Sequence, residues 1–307
     1  MVGVTLLGTG AMYPSPSRAL SSVLVSLAGS SVLFDCGEGT QAAAAKAGAS
    51  LMKVRLIALS HYHGDHIFGI PGLLQTMSSL GRTEPVYITG PEGLSGFTEM
   101  LPKLTGNLAF EIRQIRICGN GLSLASLCGK WPEEAVLRSF ETKHRVSSCG
   151  YSFELGRRGE FFPAKAEALG IPKDLWKPLQ QGRPVFCGTK RFAPEDVTGP
   201  QRQGIKVVIS GDTSLCESLV TNAKGADLLI CDATYGDEGQ AHLAELHGHM
   251  TFSQAARCAC EAGAGSLWLT HFSHMLKDPD LYLENASNVF SKAVCGKDGM
   301  KTEFTYR

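Results

Sequence analysis

Short apolar segments alternate with helical patterns and Gly-containing turns along the whole chain. Segments rich in apolar and β-branched residues predict strands at residues 4–8, 22–27, 31–35, 54–60, 86–89, 206–210, 227–231 and 266–270. Segments with apolar residues at helical spacing predict helices at residues 39–46, 71–80, 94–104, 251–262 and 281–292. Strands and helices that alternate in this way predict an α/β fold.

The chain is long enough to bury a sizeable core. Of its residues, 43% are hydrophobic and 19% are charged. Its length of 307 residues is at the upper limit for one domain. We therefore predict a single domain over residues 1–307. No apolar run approaches the roughly eighteen residues of a membrane span, and the first residues lack the features of a signal peptide. These observations predict a cytoplasmic protein with no membrane partner.

The ten cysteines are scattered through the chain and form no Cys-x-x-Cys pair. In a chain of this length, that distribution favours reduced, mostly buried thiols over a disulfide framework. Cys258 and Cys260 lie two residues apart in a predicted helix, and therefore on different faces, so that a bond between them is not expected.

The segment 157–206 differs from the rest of the chain in charge. Basic and acidic residues balance at 29 each overall, which predicts no general attraction to nucleic acid. This segment nevertheless has ten basic residues against five acidic ones, so the remainder carries a net charge of minus five. The basic residues are Arg157, Arg158, Lys165, Lys173, Lys177, Arg183, Lys190, Arg191, Arg202 and Lys206. Its prolines and glycines predict an inserted arm, and charge alone does not decide between a polyanion-binding arm and a solvated one.

A predicted apolar strand leads directly into the sequence His-Tyr-His-Gly-Asp-His at residues 61–66. Alternate side chains of an extended segment share a face, so His61 and His63 can approach one ion. The glycine then turns the chain and re-aims Asp65 and His66, and two such sets of ligands suit two adjacent cations. A single histidine is more often a hydrogen-bonded structural residue, but three histidines and an aspartate in this cluster favour a metal site.

Other predicted strands also end in candidate ligands. His271 follows the strand at 266–270, and Asp212 follows the strand at 206–210, where a carboxylate could bridge two metals. The pattern places His144 less clearly. Two metal ions roughly 3.5–4 Å apart lower the pKa of a shared water and stabilise negative charge, which makes hydrolysis the natural chemistry. Nitrogen and oxygen ligands without cysteine favour zinc, and manganese or iron would also fit.

Further motifs surround these candidate ligands. They lie at residues 7–10 with Pro14 and Arg18, 35–41, 60–66, 69–73, 144–146 with Gly150 and Tyr151, 210–213, 248–251 and 269–273. The motif at 61–66 is shared by the metallo-β-lactamase superfamily at large. The complete set, above all Asp-Cys-Gly-Glu-Gly-Thr-Gln at 35–41, resembles the ribonuclease Z family of tRNA 3′-processing endonucleases nearly from end to end.

This resemblance implies a metallo-β-lactamase fold, which is an αβ/βα four-layer sandwich of two mixed sheets, here with a short inserted arm. It implies two zinc ions per chain, one bound by His61, His63 and His144, the other by Asp65, His66 and His271, with Asp212 bridging them. It also implies that Asp65 orients or deprotonates the attacking water, while His249, supported by Asp232, protonates the leaving oxygen.

The chain departs from the family pattern near these positions. Where many members have His-Glu-Ala-Thr, this chain has Cys-Asp-Ala-Thr at residues 231–234, so the carboxylate is one methylene shorter and the histidine is replaced. Cys231 ends an apolar strand, and we interpret it as a small buried residue rather than a redox group. The motifs give His274 no role.

The resemblance also implies a partner and an assembly. It implies that the arm at 157–206 grips precursor tRNA, and that the protein is a homodimer in which one subunit's arm serves the other's active site. Residues 169–179 of the arm retain the frame of the family's arm but lack the Gly-Pro pair that is usual there. Its candidate contacts with phosphates or a nucleotide face are Lys173, Lys177, Arg183 and Trp176. Arg18 is a further candidate, either to orient phosphate near the metals or to cap a loop.

The leading hypothesis is a zinc-dependent endoribonuclease that removes the 3′ trailer from precursor tRNA and leaves a 3′-hydroxyl. A first alternative is a hydrolase of the same fold that acts on small phosphodiesters or other esters, because a fold does not fix a substrate. A second alternative is an RNA-binding or scaffold protein that keeps the fold without catalysis. Loss of metal ligands would indicate the second alternative, and all seven ligand positions are present.

Overall fold

The computed structural model describes residues 1–306. Within them, the strands in chain order are Val2–Gly8 (β1), Ser22–Leu27 (β2), Ser30–Phe34 (β3), Val54–Ala58 (β4), Val86–Thr89 (β5), Ile112–Gln114 (β6), Leu122–Ser123 (β7), Ala135–Glu141 (β8), Cys149–Arg157 (β9), Val185–Cys187 (β10), Lys190–Phe192 (β11), Arg202–Ile209 (β12), Leu228–Asp232 (β13), Leu267–Thr270 (β14), Ala293–Cys295 (β15) and Lys301–Phe304 (β16).

The α-helices of the same residues are, in chain order, Thr40–Lys46 (α1), Gly64–Ile67 (α2), Ile70–Ser79 (α3), Leu94–Thr105 (α4), Pro163–Ala168 (α5), Trp176–Gln180 (α6), Pro194–Val197 (α7), Glu217–Ala223 (α8), Ala241–His247 (α9), Phe252–Ala262 (α10) and Leu283–Ser287 (α11). None of these helices is long and apolar enough to cross a membrane. All ten cysteines of the chain are free, and five of them, including Cys231, are buried.

Most strands of the described chain belong to two seven-stranded sheets. The first has the order β16-β1-β2-β3-β4-β5-β6, antiparallel from β16 to β3 and parallel from β3 to β6. The second has the order β15-β14-β13-β12-β9-β8-β7, with parallel pairing from β12 to β15 and an antiparallel pair at β7 and β8. Parallel neighbours end at the same edge of a sheet, so the residues that follow β12, β13 and β14 lie close together.

Each sheet is covered by helices whose apolar residues recur at helical spacing. The buried residues of α3 are Ile70, Leu73, Leu74 and Met77, which share a core with Leu33 of β3 and Ile57 of β4. The buried residues of α10 are Phe252, Ala255, Ala256, Cys258, Ala259 and Ala262, which share a core with Leu229 of β13 and Leu269 of β14. The ring centroids of Phe34 in β3 and Tyr151 in β9 lie 5.6 Å apart, which joins one sheet to the other. The predicted α/β sandwich of helix, sheet, sheet and helix is confirmed.

The predicted strands and helices lie within two residues of the observed ones, with two exceptions. Strand β12 begins at Arg202, four residues before the predicted start. The helix predicted at 281–292 is wrong in its extent, because a 3-10 turn occupies Pro279–Tyr282 and α11 ends at Ser287. Leu281 is 76% exposed, whereas Leu283, Ala286 and Phe290 pack against the core of the second sheet.

The chain divides into two compact units. The first comprises Met1–Glu154 and Lys206–Thr305, and the second comprises Leu155–Ile205 with Tyr306. Apart from Lys206, the segment predicted as an arm lies in the second unit. That unit has its own small core, formed by Ala166, Ile171, Leu179, Val185, Phe192 and Val197.

The candidate tRNA-binding residues of the arm have different surroundings within this second unit. The indole of Trp176 packs against the small core, and its Nε1 donates a hydrogen bond to the carbonyl oxygen of Ile171 at 2.9 Å. Lys173, Lys177 and Arg183 are exposed. Trp176 is therefore already used in the packing of the arm, whereas the three basic side chains are accessible.

Helix α10, which covers the second sheet, has an N-terminal cap whose contribution to stability can be measured. Thr251 caps its first turn, because its Oγ1 accepts a hydrogen bond from the backbone N–H of Gln254, whose side chain accepts one from the N–H of Thr251. We expect Thr251→Ala to lower the free energy of unfolding by about 1 kcal/mol, measured by urea denaturation. Thr221→Ala, at an exposed position of α8, is the control and should change it by less than about 0.5 kcal/mol. Equal effects of the two substitutions would contradict the capping role.

Candidate metal centre

The candidate ligands lie on short segments just beyond strand ends. His61 and His63 follow β4, His144 lies between β8 and β9, and Asp212 and His271 follow β12 and β14. Gly211 has a φ of +61°, and a Cβ at this position would lie 2.6 Å from the Cβ of Ser60. Only glycine therefore allows the Asp212 segment to approach the His61 segment so closely.

The first group of ligand atoms comes from His61, His63, His144 and Asp212, and these atoms all lie within 4.8 Å of one another. The Nε2 atom of His61 is 2.9 Å from Nδ1 of His63 and 3.7 Å from Oδ2 of Asp212. The Nε2 atom of His144 is 3.5 Å from Nδ1 of His63. Three imidazole nitrogens and one carboxylate oxygen therefore lie close enough together to bind one metal ion.

The second group comes from Asp65, His66 and His271, whose ligand atoms also lie within 4.8 Å of one another. The Nε2 atoms of His66 and His271 are 3.3 Å apart, and Oδ2 of Asp65 lies 3.5 Å from Nε2 of His271. Asp212 joins the two groups. Its Oδ1 lies 3.4 Å from Nε2 of His66 and 3.3 Å from Nε2 of His271, while its Oδ2 faces His61. One carboxylate thus offers one oxygen to each group.

Hydrogen bonds at Nδ1, the ring nitrogen on the side away from the cluster, fix the orientation of three of the histidines. Nδ1 of His66 is 2.8 Å from Oδ2 of Asp35, and Nδ1 of His271 is 3.0 Å from Oγ1 of Thr234. Nδ1 of His144 is 2.9 Å from the carbonyl oxygen of Gly248. These partners leave Nε2 of each ring to face the cluster, which is the arrangement typical of metal-binding histidines.

The charges of the cluster fit a divalent cation. Burial lowers the pKa of His61 to about 2, so this imidazole is neutral, as a metal ligand must be. Burial opposes ionisation of Asp212, but the nearby rings of His271 and His66 outweigh it and hold its pKa well below the usual value. The ion pairs of Asp65 and Asp212 within the described residues are all with histidines. Two carboxylates whose ion pairs are all with imidazoles suit bound positive charge.

A further pair, His249 and Asp232, lies beside the second group. Nδ1 of His249 is 2.7 Å from Oδ2 of Asp232, whose side chain is fully buried. Burial lowers the pKa of His249, but Asp232 outweighs this effect and raises the pKa to about 9. The ring centroid of His249 lies 5.2 Å from that of His271. An imidazolium next to the candidate ligands is placed to donate a proton to a group bound there.

Comparison with known proteins decides the family. Residues 2–94 match a family model described as Anti-Pycsar protein Apyc1, and residues 183–272 match one described as Beta-lactamase superfamily domain. The chain is 38% identical over 298 residues to the ribonuclease Z of Lachnoclostridium phytofermentans, covering 97% of this chain and 96% of that protein. It is 41% identical over 312 residues to the ribonuclease Z of Methanosarcina mazei, covering 100% of this chain and 99% of that protein. The chain belongs to the ribonuclease Z family.

A solved structure agrees with this membership. The crystal structure of human tRNase Z, short form, aligns with a TM-score of 0.69 and 30% identity, covering 99% of this chain and 100% of that chain. The predicted family and fold are confirmed, and with them the predicted class of enzyme, a ribonuclease. The metallo-β-lactamase fold and the cluster of histidines and aspartates together support a divalent-metal site in this member of the ribonuclease Z family.

The structure places the other candidate residues as follows. Nη2 of Arg18 donates to the carbonyl oxygens of Leu276, at 2.6 Å, and Ser273, at 3.5 Å, so Arg18 holds the loop that follows the His271 segment. Cys231 is fully buried, and burial raises the pKa of its thiol well above the usual value. The ring of His274 packs against that of Tyr13, with centroids 4.6 Å apart.

The sequence did not predict that Asp35 and Thr234 form hydrogen bonds with the candidate histidine ligands. Asp35 accepts hydrogen bonds from the N–H and Oγ of Ser60, both at 2.8 Å, in addition to its contact with His66. Its position directly after β3, in the motif at 35–41 that is typical of ribonuclease Z, was an available signal. The sequence signal for Thr234 was weaker, because a threonine in a loop is common in any protein.

Asp35 gives a testable prediction for this site. Its φ is +55°, a left-handed conformation that asparagine tolerates nearly as well, so Asp35→Asn removes the charge with little backbone strain. We expect about a tenfold to a hundredfold weaker affinity for zinc, because the carboxylate orients the His66 ring and increases its basicity. The measurement is competition for zinc with a chromophoric chelator. An affinity equal to that of the unmodified protein would contradict the role assigned to Asp35.

Proposed function

We propose that this chain removes the 3′ trailer from precursor tRNA by hydrolysing a phosphodiester, with two zinc ions per chain at the cluster. The first ion would be held by His61, His63 and His144, the second by Asp65, His66 and His271, and both by Asp212. The two ligand groups that share Asp212, in a chain of the ribonuclease Z family, are the observation that supports this proposal most strongly. Their nitrogen and oxygen atoms suit zinc, and manganese or iron would also be accepted.

Asp65 and His249 carry out the two proton transfers of the proposed reaction. When bound, the two cations supply Lewis-acid chemistry, which activates water and neutralises charge on the phosphate. Asp65 accepts a proton from the attacking water, and the backbone N–H of Met12 holds its Oδ2 at 2.8 Å. His249 donates a proton to the oxygen that leaves. Asp232 fixes Nδ1 of that ring, so Nε2 is available to the substrate.

The same proposal includes tRNA binding by the basic arm and a homodimeric assembly. The exposed Lys173, Lys177 and Arg183 of the basic arm at 157–206 bind tRNA phosphates. The protein acts as a homodimer in the cytoplasm, where its ten free cysteines stay reduced. Sedimentation velocity with and without tRNA is the measurement for the dimer. A monomer at micromolar concentration would contradict it.

Cleavage of a precursor tRNA with a 3′ extension tests the proposed function. The purified protein with zinc should cut once, after the discriminator nucleotide, and leave a 3′-hydroxyl on the tRNA. Asp65→Ala should be inactive, whereas Asp280→Asn, at a carboxylate paired with Lys297 on the surface, should cut normally. Equal activity in Asp65→Ala would contradict the proposal. Turnover of bis(p-nitrophenyl) phosphate with no cleavage of structured RNA would instead favour a hydrolase of small phosphodiesters.

A further inference from the structure

A cavity of about 630 Å³ opens beside the metal cluster. One part of its wall consists of candidate ligands, including Asp65, Asp212 and His271. Another part consists of Arg145, Tyr235 and His247, which have no role in the proposed hydrolysis. The cavity is therefore larger than the reacting phosphate requires, and its second part is available to another portion of the substrate.

Tyr235 and His247 form a hydrogen-bonded pair in this second part. Oη of Tyr235 lies 2.7 Å from Nδ1 of His247, and the two rings are stacked at an angle of 28°. The backbone holds the tyrosine in place, since its N–H donates to the carbonyl oxygen of Met250 and its own carbonyl accepts from the N–H of Phe252. The pair is thus attached to the same segment that carries His249.

Arg145 brings positive charge to the same wall. It directly follows the candidate ligand His144 and is exposed, and among the described residues that line the cavity it is the only lysine or arginine. Its charge acts on Tyr235: burial raises the pKa of this phenol, and Arg145 opposes that effect. Both side chains line the same cavity, so a ligand bound there can contact the guanidinium and the tyrosine hydroxyl.

The charge of an RNA chain explains why such a group is needed here. The cations that Asp65 and Asp212 would hold neutralise the phosphate that is cleaved, but the cavity is also lined by Asp237, which the proposal gives no metal to bind. Asp237 would repel the next phosphate along the strand unless a basic side chain offsets its charge. Arginine suits this task because its guanidinium donates two parallel hydrogen bonds to a phosphate.

We propose that Arg145, together with the Tyr235–His247 pair, binds the phosphate adjacent to the one that is cleaved. This inference rests on the proposed function as a ribonuclease. Arg145 supplies the charge. The Tyr235 hydroxyl accepts a hydrogen bond from Nδ1–H of His247 and donates its own proton in a hydrogen bond to a phosphate oxygen. These three residues position the RNA strand, and they take no part in proton transfer or metal binding.

Kinetics with two substrates test the subsite. The substrates are a 3′-extended precursor tRNA and bis(p-nitrophenyl) phosphate, which has a single phosphate and so cannot use a second phosphate site. We expect Arg145→Ala to lower the ratio of kcat/KM for RNA to kcat/KM for the small diester about tenfold to a hundredfold, mainly through KM. Arg145→Lys should recover part of the loss, and Tyr235→Phe should lower the ratio about tenfold or less. An unchanged ratio in Arg145→Ala would overturn the proposal.

Lys143→Ala is the matched control. Lys143 lies two residues before Arg145 on the other side of His144, and it is exposed, pairs with Glu245 at 4.0 Å and does not line the cavity. The substitution removes the same charge from the same segment and should change the ratio by less than about twofold. An effect equal to that of Arg145→Ala would mean that general charge attraction, rather than a subsite, is responsible, and would overturn the proposal.

Inhibition by short oligonucleotides separates this inference from the proposed function. UpU contains one phosphate and UpUpU contains two, and each is tested as an inhibitor of bis(p-nitrophenyl) phosphate hydrolysis. In the unmodified protein UpUpU should bind about tenfold more tightly than UpU, and Arg145→Ala should abolish most of that difference. A difference retained in Arg145→Ala, or absent from the unmodified protein, would overturn the subsite. Failure to cut precursor tRNA would contradict the proposed function alone.

Discussion

Replacement of Asp212 by alanine is expected to lower the rate of RNA cleavage at least about a thousandfold. The two oxygens of Asp212 face the two ligand groups, and the side chain is only 4% exposed. Its loss removes a ligand from both candidate ion positions and leaves the imidazoles of His61 and His271 facing an empty space. Several kcal/mol of transition-state stabilisation depend on the metals, and each 1.4 kcal/mol corresponds to about a factor of ten in rate.

The measurement for Asp212→Ala combines single-turnover cleavage of a precursor tRNA with metal analysis of the same preparation. The expected result is loss of at least one zinc per chain together with the loss of rate. Asp280→Asn is the control for a change of charge at an exposed carboxylate. If Asp212→Ala kept two zinc ions and cut at a normal rate, the bridging role would be wrong.

The second large effect is expected at His249. His249→Ala removes the group that donates a proton to the leaving oxygen, and we expect a decrease of about a hundredfold to ten-thousandfold in the rate of RNA cleavage. The ribose oxygen that leaves needs a proton, whereas p-nitrophenolate is a stable anion. The rate for bis(p-nitrophenyl) phosphate should therefore fall much less than the rate for RNA.

Two controls accompany the His249 prediction. His242→Ala removes an exposed histidine of α9, which is one turn of helix and a short loop away, and should leave both rates within about twofold. The zinc content of His249→Ala should equal that of the unmodified protein. Equal losses of rate for the two substrates, or a loss of zinc, would show that His249 supports the metal centre and is not the proton donor.

The structure brings together the candidate ligands that the sequence singled out, and these residues have strong local signals. His61 and His63 stand two apart after a strand, and Asp212 and His271 each follow an apolar run. Such positions are informative because the carboxyl ends of neighbouring strands meet at one edge of a sheet. The assignment of individual ligands to each ion came from the family resemblance and remains a prediction.

Features that depend on tertiary contacts could not be derived in the same way. The hydrogen bond between Asp35 and His66 joins residues 31 positions apart, and the one between Thr234 and His271 joins residues 37 positions apart. The predicted helix at 281–292 was too long, since α11 ends at Ser287 and the following residues lead into β15. The subsite proposed for Arg145, Tyr235 and His247 could not be derived from the sequence either, since the three residues come from separate segments that meet only in the folded chain.

The most direct test of the central claim is a zinc titration of the metal-free protein, followed by cleavage of a 3′-extended precursor tRNA. The claim is that one cluster, joined by Asp212, binds two ions and hydrolyses RNA. It predicts no cleavage by the metal-free protein, and activity that rises and saturates at two zinc ions per chain, with a 3′-hydroxyl after the discriminator. Full cleavage activity with well under one metal ion per chain would contradict it.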